Sequence, residues 1–287
     1  MTTVVPVSEA VREATAALTR AQVDSARSDA LVLAAHVLGV PRSRLVLVAG
    51  FTPAALAEFR RLVADRARRV PLQHLTGVAG FGRLELAVGP GVFVPRPETE
   101  LLAQWALTVG GALAVDLASG SGALALALAH GSPATRVVAV ERSPAAVAWL
   151  RRNAAARAAA GDRPIEVVVG DATDPRVLAE FDGTVDLVVS NPPYVPEPSP
   201  GDGPPPEVAD HDPPEAVFAG PDGLAVIRPL AARAAALLRP GGWFGLEHDE
   251  TQPPALPALL SPWFAEIAIH RDLTGRPRYV TARRVAD

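Results

Sequence analysis

The tetrapeptide Asn191-Pro192-Pro193-Tyr194 closes the apolar run Val185-Asp186-Leu187-Val188-Val189-Ser190, and its residue types suit the handling of a planar –NH₂ group. The Asn191 side-chain oxygen accepts one N–H. The Pro192 carbonyl accepts a second, on a backbone stiffened by two prolines whose missing N–H groups do not compete. Tyr194 adds a flat face against which an amide or a base stacks. Fixing both N–H bonds aims the nitrogen lone pair, and for a poorly nucleophilic amide nitrogen alignment is most of the barrier. Read alone, the tetrapeptide is equally an ordinary end to a strand.

A second constellation lies upstream, in Val115-Asp116-Leu117-Ala118-Ser119-Gly120-Ser121-Gly122. Gly120 and Gly122 permit a tight strand-to-helix turn and close approach of a ligand, although such a turn can also serve packing alone. Glu141 follows Gly122 by nineteen residues, at the end of the next apolar run, where a carboxylate accepts both hydroxyls of a ribose. Gly170-Asp171 ends a further run and offers an acceptor to an adenine amino group. The third glycine of a dinucleotide fingerprint is missing, since Leu124 and Ala125 follow. A pyrophosphate wants that geometry and a free helix N-terminus. S-adenosylmethionine, an adenosine carrying a sulfonium, tolerates an acidic turn with Asp116 nearby. Together the two constellations point to methyl transfer onto an amino or amide nitrogen.

The elements that must position these residues follow an α/β rhythm. Strands are expected at Leu113–Leu117, Val137–Glu141, Ile165–Val169 and Val185–Ser190, with helices at Ala123–Ala129 and Pro144–Ala158 between them. This alternation builds a parallel, doubly wound, Rossmann-like sheet. A helix near Leu224–Leu238 and strands at Trp243–Glu247, Ile267–His270 and Arg278–Ala282 complete it. Residues 1–74 read as an N-terminal helical bundle. Ser8 is expected to cap a helix with Val11, Ala14 and Leu18 on one face. A second helix through Leu31, Leu33, Ala34 and Val37 stops at Gly39 and Pro41, and a third begins at Thr52-Pro53 with the stripe Leu56, Phe59, Leu62 and Val63. Residues 75–95, punctuated by glycine around Leu84–Leu86 and Val92–Val94, read as a connecting β-hairpin, and 96–287 as the catalytic domain. The Pro-, Gly- and Asp-dense run 196–214 reads as a mobile loop over the site.

Composition narrows the chemistry. Cysteine is absent, which excludes disulfides and thiolate catalysis and makes the cytoplasm the default compartment. Lysine is absent too, so the 27 basic residues are all arginine, and neither a phosphate-binding P-loop lysine nor a Schiff base is available. The six histidines show no paired ligand spacing, and no metal is expected. A net charge of −4 without a basic tract argues against a protein that grips nucleic acid through its phosphates. No apolar run is long enough to span a membrane, and the first residues lack the form of a signal peptide.

Nearly the whole chain resembles the protein-glutamine methyltransferases that modify class 1 peptide chain release factors, the HemK/PrmC family. Pro71-Leu72-Gln73-His74-Leu75-Thr76-Gly77 resembles its domain junction, and Val94-Pro95-Arg96-Pro97-Glu98-Thr99-Glu100 its most discriminating signature. Asp116 to Gly122, Gly170-Asp171 and Ser190 to Tyr194 resemble its methyltransferase motifs. Residues 219–224 and 271–278 resemble its later blocks. The resemblance implies a class I S-adenosylmethionine-dependent methyltransferase acting on the glutamine of a Gly-Gly-Gln motif. Asn191 would contact cofactor and glutamine, and Pro192, Pro193 and Tyr194 would frame the glutamine amide. Ala118, Ser119, Gly120, Ser121 and Gly122 would cradle the methionine part, Glu141 would hold the ribose, and Asp171 and Ala172 would sit by the adenine. Arg96, Pro97, Glu98, Thr99 and Glu100 would wall the pocket, and the bundle would dock the release factor.

The chain departs from the family pattern at Ala118-Ser119, where Gly-Thr is commoner, at Phe81-Gly82, in the Pro-rich run 196–206, and in 247–252. His248 is assigned no catalytic role. Two other readings are weighed. One is an adenine N6-methyltransferase using the same corner on a flipped base; the other is a non-catalytic nucleotide-binding module.

Overall fold

Helices α1 (Val7–Arg20), α2 (Ala26–Leu38) and α3 (Pro53–Ala67), with the short α4 (Leu72–Thr76), turn their apolar stripes onto one another in the computed structural model, which describes residues 4–197 and 203–286. Leu18, Ala30, Leu33, Ala34, Phe51 and Phe59 are sealed from solvent in this core. Thr52 Oγ1 accepts from the Ala55 N–H at 3.3 Å and Pro53 opens α3, while Gly39 ends α2 at φ 63°. The expectation at Ser8 is corrected. Helix α1 starts at Val7 behind Pro6, with no side-chain cap. Burial of Val7 draws it into the first turn, and the fixed φ of proline supplies the entry.

This helical unit comprises residues 1–78 together with 205–211. An ion cluster inside it explains the second segment. Arg66 pairs with Asp29 at 2.7 Å and with Glu207 at 2.8 Å, and Arg69 reaches the other Glu207 oxygen at 2.7 Å. The Arg66 and Asp29 side chains are only 7% and 5% exposed. Removing one member of such a pair strands the other charge. Arg66→Met is therefore expected to destabilise the unit by about 3 kcal/mol or more, read by urea unfolding of the full chain. The run 196–214 thus differs from the loop expected. Its residues 198–202 lie outside the described residues, and the rest carries the helical turn α8 (Pro206–Ala209), tied down through Glu207, and ends where α9 (Pro214–Val217) begins.

The second unit, residues 79–204 and 212–287, holds the sheet. The hairpin is β1 (Val78–Phe81) with β2 (Leu84–Ala87). Val92–Val94, expected as its partner strand, is irregular. Val92 and Val94 instead bury themselves in a small cluster with Val88 and Ala146. Next come α5 (Thr99–Val109), β3 (Leu113–Leu117), α6 (Ala123–Gly131), β4 (Arg136–Glu141), α7 (Pro144–Ala159), β5 (Glu166–Val169) and β6 (Val185–Ser190). Helix α10 (Ile227–Leu237), β7 (Leu238–Glu247), α11 (Leu256–Leu260), β8 (Phe264–Arg271) and β9 (Pro277–Arg284) follow. The strand order is β5-β4-β3-β6-β7-β9-β8, parallel through β7 and antiparallel at the last two pairings. Continuous apolar runs such as Leu187–Val189 follow from helices covering both faces. Asp186 interrupts one without cost, since its carboxylate accepts the Ala112 and Leu113 N–H groups at 2.7 and 3.0 Å and pairs with Arg239. Among the described residues no helix is long and apolar enough to cross a membrane, and no acidic, histidine or cysteine group could hold a metal.

The chain leaves β3 toward β4 and β5, then returns to the other side through β6 and β7. The switch lies between β3 and β6, and the cleft of such a sheet opens outside the carboxyl ends there.

Candidate active site

Parallel register sets Leu117 beside Ser190, so the glycine turn after β3 and the Asn-Pro-Pro-Tyr corner after β6 leave the sheet side by side. The Ser190 hydroxyl donates to the Leu117 carbonyl at 2.6 Å, and the Ser119 N–H to the Val140 carbonyl at 2.9 Å. These bonds lock three strand ends into one edge. Along it stand Asp171 after β5, Glu141 on β4, residues 118–122 after β3 and Asn191 after β6, in the strand order of the sheet. All the anticipated cofactor residues share that edge.

Within the turn the two glycines have different reasons. A Cβ on Gly122, itself left-handed at φ 90°, would lie 2.6 Å from Leu150 Cδ1, so this glycine serves packing as well as the bend. One on Gly120, at φ 56°, would meet nothing within 4 Å, so that glycine gives the left-handed bend and an unfilled space above it. Ala118 also sits in the left-handed region, at φ 61°, where its Cβ is strained. Ala118→Gly is expected to stabilise the protein by about 0.5 to 1 kcal/mol, the strain relief exceeding the added chain entropy. Thermal unfolding without cofactor measures it.

Asp116 lies beneath the turn, 1% exposed. One carboxylate oxygen accepts the Ala125 N–H at 3.1 Å; the other, Oδ1, is buried without a hydrogen-bond partner. Burial pushes its pKa up to about 7, opposed by the nearby Ser119 hydroxyl and then by the Ala125 N–H, and helped by Glu141. Glu141 accepts from the N–H groups of Gly120, Arg142 and Ser143, each at 2.8 Å, which fixes its carboxylate at the mouth of the turn. Asp171 is engaged locally: Oδ1 takes the Thr173 N–H and hydroxyl at 2.9 and 2.7 Å, and Oδ2 faces Arg142 at 3.3 Å. Partial burial opposes its ionisation, but these donors outweigh it and lower the pKa. Ala172 is 7% exposed and packs into the core below. An orphaned buried acceptor, an open space over a glycine and a carboxylate held at the strand end fit an adenosine cofactor that brings its own N–H and O–H donors.

Asn191 is half-buried, and its Nδ2 donates to Thr99 Oγ1 at 3.1 Å. The Thr99 hydroxyl donates to Glu247 Oε2 at 2.6 Å, and the Tyr194 hydroxyl to Glu247 Oε1 at 2.7 Å. Glu247 is 1% exposed; burial raises its pKa against the pull of both hydroxyls. The Tyr194 phenol is pushed well above its usual range by burial and by Glu247, so it stays protonated as a donor. Tyr194 is held from behind as well. Its carbonyl accepts Gln252 Nε2 at 2.9 Å, and a Cβ at Gly223 would lie 2.1 Å from that carbonyl oxygen. Of the segment Arg96–Glu100, Thr99 reaches Asn191 directly, Arg96 pairs with Asp212 at 2.7 Å, Pro97 is exposed, and Glu98 and Glu100 are half-exposed.

Sequence reasoning named Asn191, Tyr194 and Thr99 but missed Glu247, which joins them. The available signal was the one that picked out Glu141: a single carboxylate ending an apolar strand, Trp243-Phe244-Gly245-Leu246-Glu247. His248 is fully buried, with Nδ1 on the Asp249 carbonyl at 2.7 Å, and burial lowers its pKa.

Comparison with known proteins agrees with this geometry. The family described as PrmC N-terminal domain matches residues 9–77, and the methyltransferase small domain family matches residues 84–199. A release factor glutamine methyltransferase of Mycolicibacterium smegmatis is 53% identical over 282 residues, covering 96% of this chain and 97% of that protein. The protein of the same name from Streptomyces coelicolor is 46% identical, with 96% of each chain covered. Among solved structures, the T. thermophilus 16S rRNA N2 G1207 methyltransferase (RsmC), in complex with AdoMet and guanosine, aligns with a TM-score of 0.51 and 25% identity over 72% of this chain and 49% of that one.

Proposed function

The chain belongs to the HemK/PrmC family of release factor glutamine methyltransferases, and from that premise we propose that it transfers a methyl group from S-adenosylmethionine to the side-chain amide nitrogen of the Gly-Gly-Gln glutamine in class 1 release factors. The observation that carries this reading is the placement of Asn191 beside the 118–122 turn, with its Nδ2 tied to Thr99 and its carbonyl oxygen left as an acceptor.

The cofactor supplies an electrophilic methyl on sulfur. Asp116, Ser119 to Gly122 and Glu141 hold it, with Ala118 shaping the turn and Asp171 and Ala172 beside the adenine. Asn191 Oδ1 and the Pro192 carbonyl accept the two amide hydrogens of the glutamine, Pro193 and Tyr194 frame it, and the Arg96–Glu100 segment closes one wall. These two acceptors favour positive charge developing on nitrogen and weaken its delocalisation into the amide carbonyl. Alignment and exclusion of water do the rest. No strong base is needed before transfer, because the methylated amide loses its proton readily to water.

The helical unit docks the protein substrate, as the family resemblance implies, and the reaction belongs in the cytoplasm with translation. The adenine-methylating and non-catalytic readings are not favoured: relatives at 53% and 46% identity along almost the whole chain bear the release-factor name. Mass spectrometry of a purified release factor after incubation with the protein and S-adenosylmethionine tests the proposal. One added methyl on the Gly-Gly-Gln glutamine supports it; an unmodified glutamine with an active cofactor stock refutes it.

A further inference from the structure

We infer that Glu247 is a positioning residue which, acting through Thr99, sets the direction in which the Asn191 carboxamide faces. The inference rests on the methyl-transfer reading and extends it to residues that need not touch either reactant.

An amide at position 191 can present either of two ends to a substrate, and the two have opposite polarity. Its oxygen attracts the N–H groups of a glutamine; its nitrogen repels them. What chooses between the ends is the partner behind it, and that partner, the Thr99 hydroxyl, is by itself ambivalent, able to donate or to accept. Glu247 resolves the choice by accepting with both oxygens, at 2.6 Å from Thr99 Oγ1 and at 2.7 Å from the Tyr194 hydroxyl. The Thr99 proton is thereby committed to Glu247, and a Thr99 lone pair is turned toward position 191. Only Nδ2 can use that lone pair, which it does at 3.1 Å, and Oδ1 is left as the outward acceptor. The polarity of the corner is therefore imposed from a residue two bonds removed.

The fold brings the ends of this relay together by close packing. Thr99 opens α5 and Glu247 closes β7, two elements that meet across Gly245. A Cβ there would lie 2.3 Å from the Trp105 ring and 2.7 Å from Leu102, the latter on the same face of α5 as Thr99. Thr99 is 2% exposed, so no water competes for its hydroxyl. The same carboxylate fixes the Tyr194 ring through its second oxygen, so both side chains of the corner depend on one group.

Steady-state methylation of a purified release factor, with cofactor affinity measured by calorimetry, tests the relay. Glu247→Gln keeps the shape but presents an –NH₂ that can turn the Thr99 hydroxyl round and invert Asn191. It is expected to lower kcat at least tenfold, with the S-adenosylmethionine dissociation constant within about twofold of wild type. Thr99→Val, isosteric but unable to relay, is expected to do the same, and Thr99→Ser, which keeps the hydroxyl, to recover most of the lost turnover. Should Glu247→Gln fail to fold, the Thr99 pair carries the test alone. Turnover within twofold of wild type in Thr99→Val would overturn the inference. So would a loss in Thr99→Val that Thr99→Ser shares, or a loss of turnover matched by equal losses of cofactor affinity and melting temperature. Wild-type protein that leaves the glutamine unmethylated would instead refute the proposed function, so the two failures are told apart.

Discussion

Replacing Asn191 with alanine is expected to lower the turnover of release-factor methylation by about a hundredfold or more, while the dissociation constant for S-adenosylmethionine stays within about twofold. The asymmetry follows from where the side chain is held. Asn191 leaves β6 beside the 118–122 turn but is anchored on the opposite side, through Thr99 to Glu247. The residues proposed to hold the cofactor, Asp116, the glycine turn and Glu141, make no hydrogen bond to the Asn191 side chain, whose partner is Thr99. On the proposed mechanism, alanine removes one of two acceptors for the attacking nitrogen, an effect realised mainly as charge builds on that nitrogen. Single-turnover kinetics with a release factor, alongside calorimetry with cofactor alone, separates the two quantities. Parallel losses in both would mean that Asn191 is a structural strand end and that the acceptor role is wrong.

The second large effect concerns Asp116 and pH. Its pKa is raised to about 7 in the folded protein by burial, from an ordinary value of 3.8. For a carboxyl raised on folding, the folded state binds the proton more tightly than the unfolded chain. The stabilisation this gives is complete below about pH 4 and is lost as pH rises through about 7. Shifted by that much, one buried group contributes on the order of 4 kcal/mol across the window. Cofactor-free Asp116→Asn protein is therefore expected to lack this slope and, above pH 7, to melt at a higher temperature than wild type. The same change is expected to cost about tenfold or more in cofactor affinity. An asparagine offers at most one acceptor, and the buried Oδ1 has no partner within the protein. Wild-type affinity should rise between pH 6 and pH 8 as Asp116 ionises, and the variant's should not. Melting curves and calorimetry over that range are decisive. An unchanged affinity in Asp116→Asn would assign the carboxylate to fold architecture alone. Glu141, the acidic neighbour facing it, is held by three backbone N–H groups that the substitution does not alter chemically.

Much of this enzyme was legible without coordinates, for reasons of local physics. The βα alternation, the glycine turn, Glu141 at a strand end and the Asn-Pro-Pro-Tyr corner are each encoded within a few consecutive residues. Pairing in a doubly wound sheet then puts all the strand ends on one edge. Strands β3 and β6 were read with their observed bounds, and Gly39 and Thr52-Pro53 punctuated their helices as glycine and proline chemistry requires. The errors fell where a local signal competed with burial. Ser8 lost its cap to the entry of Val7 into the core, and Val92–Val94 has strand-like composition but no neighbour to pair with. The proline-dense 205–211 segment reads as loop until Glu207 meets Arg66 on α3 and Arg69 in the turn just beyond it.

What the chain alone determined was the inventory of reacting groups and the edge on which they gather. Which way those groups face was decided only by tertiary packing. Thr99, Asn191 and Glu247 are separated by 92 and 56 residues, and no periodicity links them. Their alignment depends on α5 settling on β7 over a glycine too small to keep it away. Hydrogen-bond direction belongs to the assembled relay, because a threonine hydroxyl acquires a donor's or an acceptor's role only from the neighbours that burial gives it.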